Sequence, residues 1–242
     1  MRLIGLIGGM SWESTAIYYR LLNEAARARL GGLHSARLLL WSVDFAEVAE
    51  LQHRGDWDAA GDLLADAARR LEGAGAEVLV LCTNTMHKLA GRIEAAAGIP
   101  LLHIADPTGA ALAAAGCRRP ALLATRFTME EPFYAERLAA RFGLAPIVPD
   151  AAGRAMIHGV IYEELCRGVI RAESKARYLD EVARLRALGA DSVILGCTEI
   201  GMLLGQDDLD LPVFDTTRLH ADAALDFALA GDQPGVAAKP GQ

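Results

Sequence analysis

Three observations predict an α/β fold with parallel sheets arranged in two related halves. Short apolar runs alternate with amphipathic, helix-like segments along the chain. The runs are continuous rather than alternating, as strands covered on both faces require. One segment also occurs twice without a gap. Gly75-Ala-Glu-Val-Leu-Val-Leu-Cys-Thr-Asn-Thr85 aligns with Gly189-Ala-Asp-Ser-Val-Ile-Leu-Gly-Cys-Thr-Glu199, setting Thr83 opposite Cys197, Asn84 opposite Thr198 and Thr85 opposite Glu199.

Taken in order, the apolar runs predict strands at Leu3–Ile7, Leu38–Val43, Val78–Leu81, Leu101–Ile104, Ala121–Ala124, Val193–Leu195 and Val213–Phe214. Helices rich in Ala, Leu and Arg, good helix formers, are predicted at Ser14–Leu30, Trp57–Gly73, Met86–Ala97, Glu130–Phe142, Met156–Gly168 and Ser174–Leu188. Strand–helix alternation of this kind gives sheets covered by helices. The repeat extends further: Ile99-Pro-Leu-Leu-His-Ile104 and Leu211-Pro-Val-Phe-Asp215 are both strands entered through a proline. The opening strand and its Tyr-Tyr-Arg-Leu helix echo Ala121–Thr125 followed by Phe133-Tyr-Ala-Glu-Arg-Leu138. The first half is therefore expected at residues 1–105, joined by a returning helix over 216–230, and the second at 106–215. Residues 231–242, rich in Gly and Pro, are expected to form a flexible tail.

A net charge of -7 in 242 residues argues against nucleic acid or an anionic membrane as partner. No apolar stretch reaches membrane-spanning length, and no export signal opens the chain. Cys82, Cys117, Cys166 and Cys197 fit no metal-binding spacing, so reduced thiols in a cytoplasmic protein are expected.

In parallel α/β sheets, ligands bind beyond the carboxyl ends of the strands. Thr83-Asn84-Thr85 and Cys197-Thr198-Glu199 both fall there, each ahead of a helix whose N–H groups would favour an anion and lower a thiol pKa. Cys117 and Cys166 lack such a context and are expected to be inert. Gly8-Gly9-Met10-Ser11 matches no nucleotide-binding spacing and is expected to form a wall of the same pocket. Asp44 is either an acid of the site or a helix cap. His87 either helps the site titrate, lines the pocket or faces solvent, whereas His103 belongs to the core. The arginines of 137–141 and 177–186 are expected on solvated helix faces.

The segments Ile4-Gly-Leu-Ile-Gly-Gly-Met-Ser-Trp-Glu-Ser14, Leu81-Cys-Thr-Asn-Thr-Met-His87 and Gly196-Cys-Thr-Glu199 together resemble the aspartate/glutamate racemase superfamily, over about residues 1–230. They are most similar to its bacterial L-aspartate/glutamate-specific, or broad-specificity, amino-acid branch. The resemblance implies two flavodoxin-like halves with the site between them, no cofactor, an amino-acid substrate and a homodimer. It also implies two-base racemisation, one group removing the α-proton while another protonates the opposite face. Cys197 would take the proton of the L-isomer. Thr83 stands where the family has its first cysteine and would serve the other face, with Cys82 as a second candidate. Successive strand side chains alternate faces, so Cys82 should point away if Thr83 points in. Met10, Gln52, Asn84, Thr85, Thr125, Thr198 and Glu199 are the implied substrate contacts. Arg54 and Arg126 are the cations nearest by position for an acidic side chain. The same scaffold also fits hydantoin racemases, maleate isomerases and arylmalonate decarboxylases. A non-catalytic amino-acid-binding module or a thiol redox sensor are readings of another class, the sensor lacking a resolving cysteine near Cys197 in sequence.

Overall fold

The computed structural model describes residues 1–230; the tail expected at 231–242 lies outside the described residues. Two parallel sheets organise the molecule. The first comprises β1 (Ile4–Gly8), β2 (Leu38–Ser42), β3 (Val78–Leu81) and β4 (Leu101–Leu102), in the order β2-β1-β3-β4. The second comprises β5 (Pro120–Ala124), β6 (Ser192–Gly196) and β7 (Val213–Asp215), in the order β5-β6-β7. Ile147 pairs in parallel with Ala121 on the free edge of β5. That residue takes the place β2 holds beside β1, so the two sheets share one winding. In each sheet the strand order reverses beside the first strand, between β1 and β3 and between β5 and β6.

The duplicated segment performs the same local task twice. Gly75 and Gly189 both have left-handed φ, of 97° and 94°, a conformation that glycine adopts without a Cβ clash. They stop α3 (Trp57–Gly73) and α9 (Ala172–Ala187), with Ala76 and Ala190 N–H groups donating to Leu71 and Leu185 carbonyls. The next residue then starts a strand: Glu77 N–H donates to Leu3 O and Asp191 N–H to Arg119 O, at the first strand of each half. Both β3 and β6 are buried throughout.

Most predicted helices hold in position with altered ends. α1 (Trp12–Leu30) begins earlier than expected because Ser11 caps it, accepting from Ser14 N–H. The helix expected at 130–142 begins at Pro132 as α7 (Pro132–Phe142), preceded by a short α6 (Arg126–Glu130) that lies almost wholly outside the expected span. Pro132 has no N–H to give, and it pushes Glu131 to extended backbone, φ -91° and ψ 147°. The helix expected from Met86 opens as a 3-10 turn over Thr85–Leu89 before α4 (Ala90–Ala96). α8 (Ala151–Glu163) starts upstream of Met156 because Asp150 caps it, and a 3-10 turn over Leu165–Arg167 follows. The strand expected to reach Ile104 stops at Leu102, since Ile104 N–H bonds to the His87 ring instead of a neighbouring strand.

Two helices were not anticipated. α2 (Phe45–Arg54) is capped by Asp44, which settles that residue as a cap accepting from Ala46 N–H. α5 (Ala105–Ala114) buries Ala105 and Leu112 in the core around β5 and β6. Arg137 and Arg141 of α7 are not merely solvated; both clamp Asp106 of α5 at 2.6–2.7 Å. α10 (Thr216–Leu229) crosses back, burying Ala221, Ala224, Leu225 and Ala228 with Ile4, Leu6 and Tyr18. The alanines among them let α10 lie close against α1, which carries Tyr18.

Gly9, at the tip of β1, has φ 93°, and a Cβ there would sit 2.2 Å from the Val43 carbonyl oxygen. Both strain and overlap with backbone oppose any side chain. We predict that Gly9→Ala costs at least about 2 kcal/mol and lowers Tm by several degrees, at about 2–4 °C per kcal/mol for a chain of this size. Calorimetry checks this; an unchanged Tm would contradict the account of the turn.

Candidate active site

Four strand ends meet where the two sheets reverse their order. Met10 follows β1, Thr83-Asn84-Thr85 follow β3, Thr125 follows β5, and Cys197-Thr198-Glu199 follow β6; all of them line one cavity. Gln52 from α2 lines it too, so Thr83, Cys197 and all seven implied substrate contacts lie on this wall, whereas of Gly8-Gly9-Met10-Ser11 only Met10 does. The reversal point of a parallel sheet leaves a crevice because neighbouring connections depart to opposite faces. Here two such crevices face each other. The cavity is small, about 20 Å³, room for about one water. An amino acid enters only if the walls part.

Glu199 lies at the centre of the polar wall and is 2 % exposed. Its Oε1 accepts from Ser11 Oγ at 2.8 Å, Ser14 Oγ at 2.5 Å and Cys166 Sγ at 3.7 Å. Its Oε2 accepts from Cys197 Sγ at 2.9 Å and Thr198 Oγ1 at 2.6 Å. Burial alone would raise this carboxyl, but the bonds from Cys197, Ser14, Thr198 and Ser11 outweigh it and hold the group below the usual carboxylate value. Glu199 is therefore an anion, its lone pairs filled by the protein rather than turned toward a ligand.

The same arrangement reverses an expectation for Cys197. Burial first, then the Glu199 charge and Cys166, push its thiol well above the ordinary cysteine value. The helix expected to lower it is only a 3-10 turn over Thr198–Met202, too short to carry much of a dipole. Cys197 thus rests as a thiol donating to a carboxylate.

Thr83 faces the cavity from the opposite sheet, and Cys82 does not. Cys82 packs with Tyr18 and α10 in the core behind β1, its thiol pushed up by burial. Strand alternation puts the two side chains on opposite faces. His87 touches Thr83 through the backbone alone. Ile104 N–H donates to His87 Nε2 at 3.1 Å, so Nδ1 holds the proton and donates to Thr83 O at 2.7 Å. With both ring nitrogens engaged, His87 is buried and fixes the strand end; it has no nitrogen left to serve the Thr83 hydroxyl. His103 is a core residue as expected, its Nδ1 accepting from Ala105 N–H.

Asn84 carries the other informative polar atom. Thr216 gives its one hydroxyl proton to Leu195 O at 2.9 Å, so toward Asn84 it can only accept, and Asn84 Nδ2 donates to it at 3.0 Å. The amide orientation follows, and it leaves Asn84 Oδ1 buried without a partner. A buried acceptor of this kind costs about 1–3 kcal/mol until something donates to it.

Across the mouth, Tyr162 of α8 donates to Gln52 Oε1 at 3.0 Å, and Gln52 Nε2 donates to the weak acceptor Met86 Sδ at 3.0 Å. Thr85 and Thr125 hydroxyls join the two sheets at 2.8 Å. Among the described residues, no lysine or arginine lines the cavity. Arg54 pairs with Glu50 at 3.6 Å and Arg126 stacks over Phe127, so neither candidate cation reaches the wall. Residues that the motifs missed are Phe45, Ile161, Tyr162 and Cys166; Gly196 opens the Gly196-Cys-Thr-Glu199 segment but is not among the implied contacts. Tyr162 and Cys166 are one helical turn apart, but a core face would show the same spacing. Cys166 in particular is not the isolated thiol expected; it reaches the Glu199 carboxylate.

The Asp/Glu/Hydantoin racemase family model matches residues 7–224. A structure from Yersinia pestis assigned as an Asp/Glu racemase is 52% identical, covering 95% of this chain and 100% of its own, with a TM-score of 0.88. An aspartate racemase homologue from Pyrococcus horikoshii OT3 is 30% identical over 94% of this chain and 99% of its own, with a TM-score of 0.81. The broad specificity amino-acid racemase RacX of Bacillus subtilis (strain 168) is 21% identical over 94% of this chain and 99% of its own.

Behind the cavity, His87, His103 and His220 form a buried cluster. His220 Nε2 donates to Leu102 O and its Nδ1 accepts from Tyr18. Burial lowers all three below the ordinary imidazole value, to about 3 for His103 and about 4 for His220. Each ring binds its proton more weakly folded than unfolded. Their stabilisation is therefore complete above about pH 6.5 and is lost as pH falls toward the folded values. We predict that urea midpoints decline between pH 6.5 and 5, above the range where carboxylates protonate. A flat profile over that interval would refute the neutral cluster.

Proposed function

The chain belongs to the Asp/Glu/Hydantoin racemase family, whose members are isomerases, and from that premise we propose that it inverts the α-carbon of an amino acid using side chains of its own. The observation that supports this most is one cavity lined by Cys197 from the end of β6 and Thr83 from the equivalent end of β3. Racemisation needs a proton-transferring group on each face of one carbon, because substrate and product differ only in which face carries hydrogen. Two related strand ends approaching from opposite sheets meet that requirement.

In the proposed cycle the α-ammonium donates to the orphaned Asn84 Oδ1, and the paired Thr85 and Thr125 hydroxyls hold the α-carboxylate. The Cys197 thiol passes its proton to Glu199 Oε2, its hydrogen-bond partner at 2.9 Å. The thiolate so formed takes the α-proton of the L-isomer. That first proton transfer moves the negative charge from Glu199 onto the sulfur, so the site keeps a single negative charge. Thr83 then protonates the other face, and the cycle closes as its alkoxide regains a proton from water and Glu199 releases the one it holds. A hydroxyl is a far weaker acid than a thiol, and no base touches Thr83, so the two faces are unequal in exchange. They cannot be unequal at equilibrium, since enantiomers have the same free energy in water.

L-aspartate and L-glutamate are the proposed substrates, on the likeness to Asp/Glu racemases. With no arginine or lysine in the wall, the side-chain carboxylate would be met by neutral donors. Gln52 is the candidate, because its amide N–H bonds only a thioether and loses little by turning to an oxygen. The division of the chain into halves at 1–105 with 216–230 and at 106–215 is proposed on the same basis, and with it a homodimer and a cytoplasmic setting.

The test is proton NMR of L-aspartate and L-glutamate in D₂O, with chiral analysis of the same samples. We predict loss of the α-proton signal with deuterated L-isomer in early excess over D-isomer. Cys197→Ala should lower the exchange by about 10²–10⁴-fold. Thr83→Val should abolish inversion and keep L-isomer exchange. Inversion without early excess of deuterated L-isomer would overturn the unequal faces, and no exchange with either acid would overturn the substrate assignment.

A further inference from the structure

The donors around Glu199 differ in one respect. Ser11, Ser14, Thr198 and Cys197 are all buried. Cys166 alone is partly exposed; it lies on the 3-10 turn after α8 and belongs to both the cavity wall and the outer surface. It contacts Oε1, whereas Cys197 contacts Oε2. The two thiols therefore occupy opposite oxygens of one carboxylate, one on a buried residue at the reaction centre and the other on a partly exposed residue. Ser11 and Ser14 fill the remaining space on Oε1 but lead only into the interior, toward α1 and Thr198.

We propose that Cys166 is the relay through which the Cys197 sulfur exchanges protons with solvent, acting through Glu199. This rests on the racemase reading above, which needs Cys197 to lose the hydrogen it takes from substrate. After α-proton abstraction, Cys197 is a thiol carrying the substrate hydrogen and Glu199 is protonated on Oε2. Cys166 first gives its thiol proton to water, and its thiolate takes the Glu199 proton once the carboxyl turns to present it. The Glu199 carboxylate then accepts the substrate hydrogen from the Cys197 thiol, and the reverse sequence returns a solvent proton to sulfur. Cys166 completes the exchange with water, losing or gaining the matching proton. No oxidant or other co-reactant enters, and the net charge of the three groups changes only by the proton shared with water.

The same placement distinguishes this role from simple packing. A thiol that only filled space would affect binding and rate together. A relay sets the competition between return of the original hydrogen to the L-face and its replacement by solvent hydrogen. That competition is read as the ratio of deuterated L-isomer to D-isomer formed early in D₂O.

The experiment compares this ratio for the wild-type chain, Cys166→Ala and Cys166→Ser with L-aspartate and L-glutamate. We expect Cys166→Ala to lower the ratio about tenfold, whatever its overall rate, and Cys166→Ser to restore most of it, because a hydroxyl can also relay. Solvent tritium wash-in gives the same ratio where turnover is slow, and far-UV circular dichroism confirms folding of each variant. An unchanged ratio in folded Cys166→Ala, with exchange intact in the wild type, would overturn the relay alone. No exchange with either acid in the wild type would overturn the racemase reading for these substrates and the relay with it.

Discussion

A buried carboxylate without a cation organises this molecule. Glu199 is satisfied only by hydroxyls and thiols, and those groups come from both halves: Ser11 and Ser14 from the start of α1, and Cys166, Cys197 and Thr198 from around β6. An anion out of water is costly unless its lone pairs are filled. The structure that fills them must bring the ends of β1 and β6 into contact. The carboxylate thus ties the two sheets together at the place where the proposed chemistry occurs. It also keeps the Cys197 proton on sulfur in the resting protein, so reactivity depends on what else enters the cavity.

Closure is built from many modest contacts rather than one large one. Gln52 with Tyr162, Thr85 with Thr125, and Asn84 with Thr216 each cross between the sheets. Outside them, Phe45 and His53 approach the Tyr162 ring, Trp57 meets Phe127 edge-on, and Lys88 pairs with Glu131 at 2.6 Å. Single bonds of this kind contribute about 0.5–1.5 kcal/mol each. Together they close a cavity too small for an amino acid, yet individually they are weak enough to be exchanged for contacts with one. Gln52 and Asn84 suit that exchange, one bonded to a thioether and the other holding an orphaned acceptor.

Duplication explains why the cavity has two sides. Each copy of the Gly-Ala-acid segment ends a helix, starts a strand and delivers three polar residues to a sheet reversal point. Their side chains differ. Thr83 has a backbone-bound histidine behind it and no base, whereas Cys197 has a carboxylate beside it. The asymmetry of chemistry proposed for the two faces follows from these neighbours, not from the strands that position them.

The sequence by itself determined the strands, their parallel class and the polar clusters at their ends, because burial on both faces and a repeated turn are local patterns that a chain displays directly. It also placed Cys82 and Thr83 on opposite sides, through strand alternation alone. It could not show α5, which lacks a cap and a polar face, nor the break at Pro132 within an otherwise helical pattern. Only tertiary structure decided the state of the site. The pKa of Cys197 depends on desolvation and on Glu199, the role of His87 on an N–H from Ile104, and the place of Cys166 on a turn packed against a distant strand end. These are through-space effects between segments remote in sequence, and electrostatics in a buried site is set by distance and exposure rather than by order along the chain.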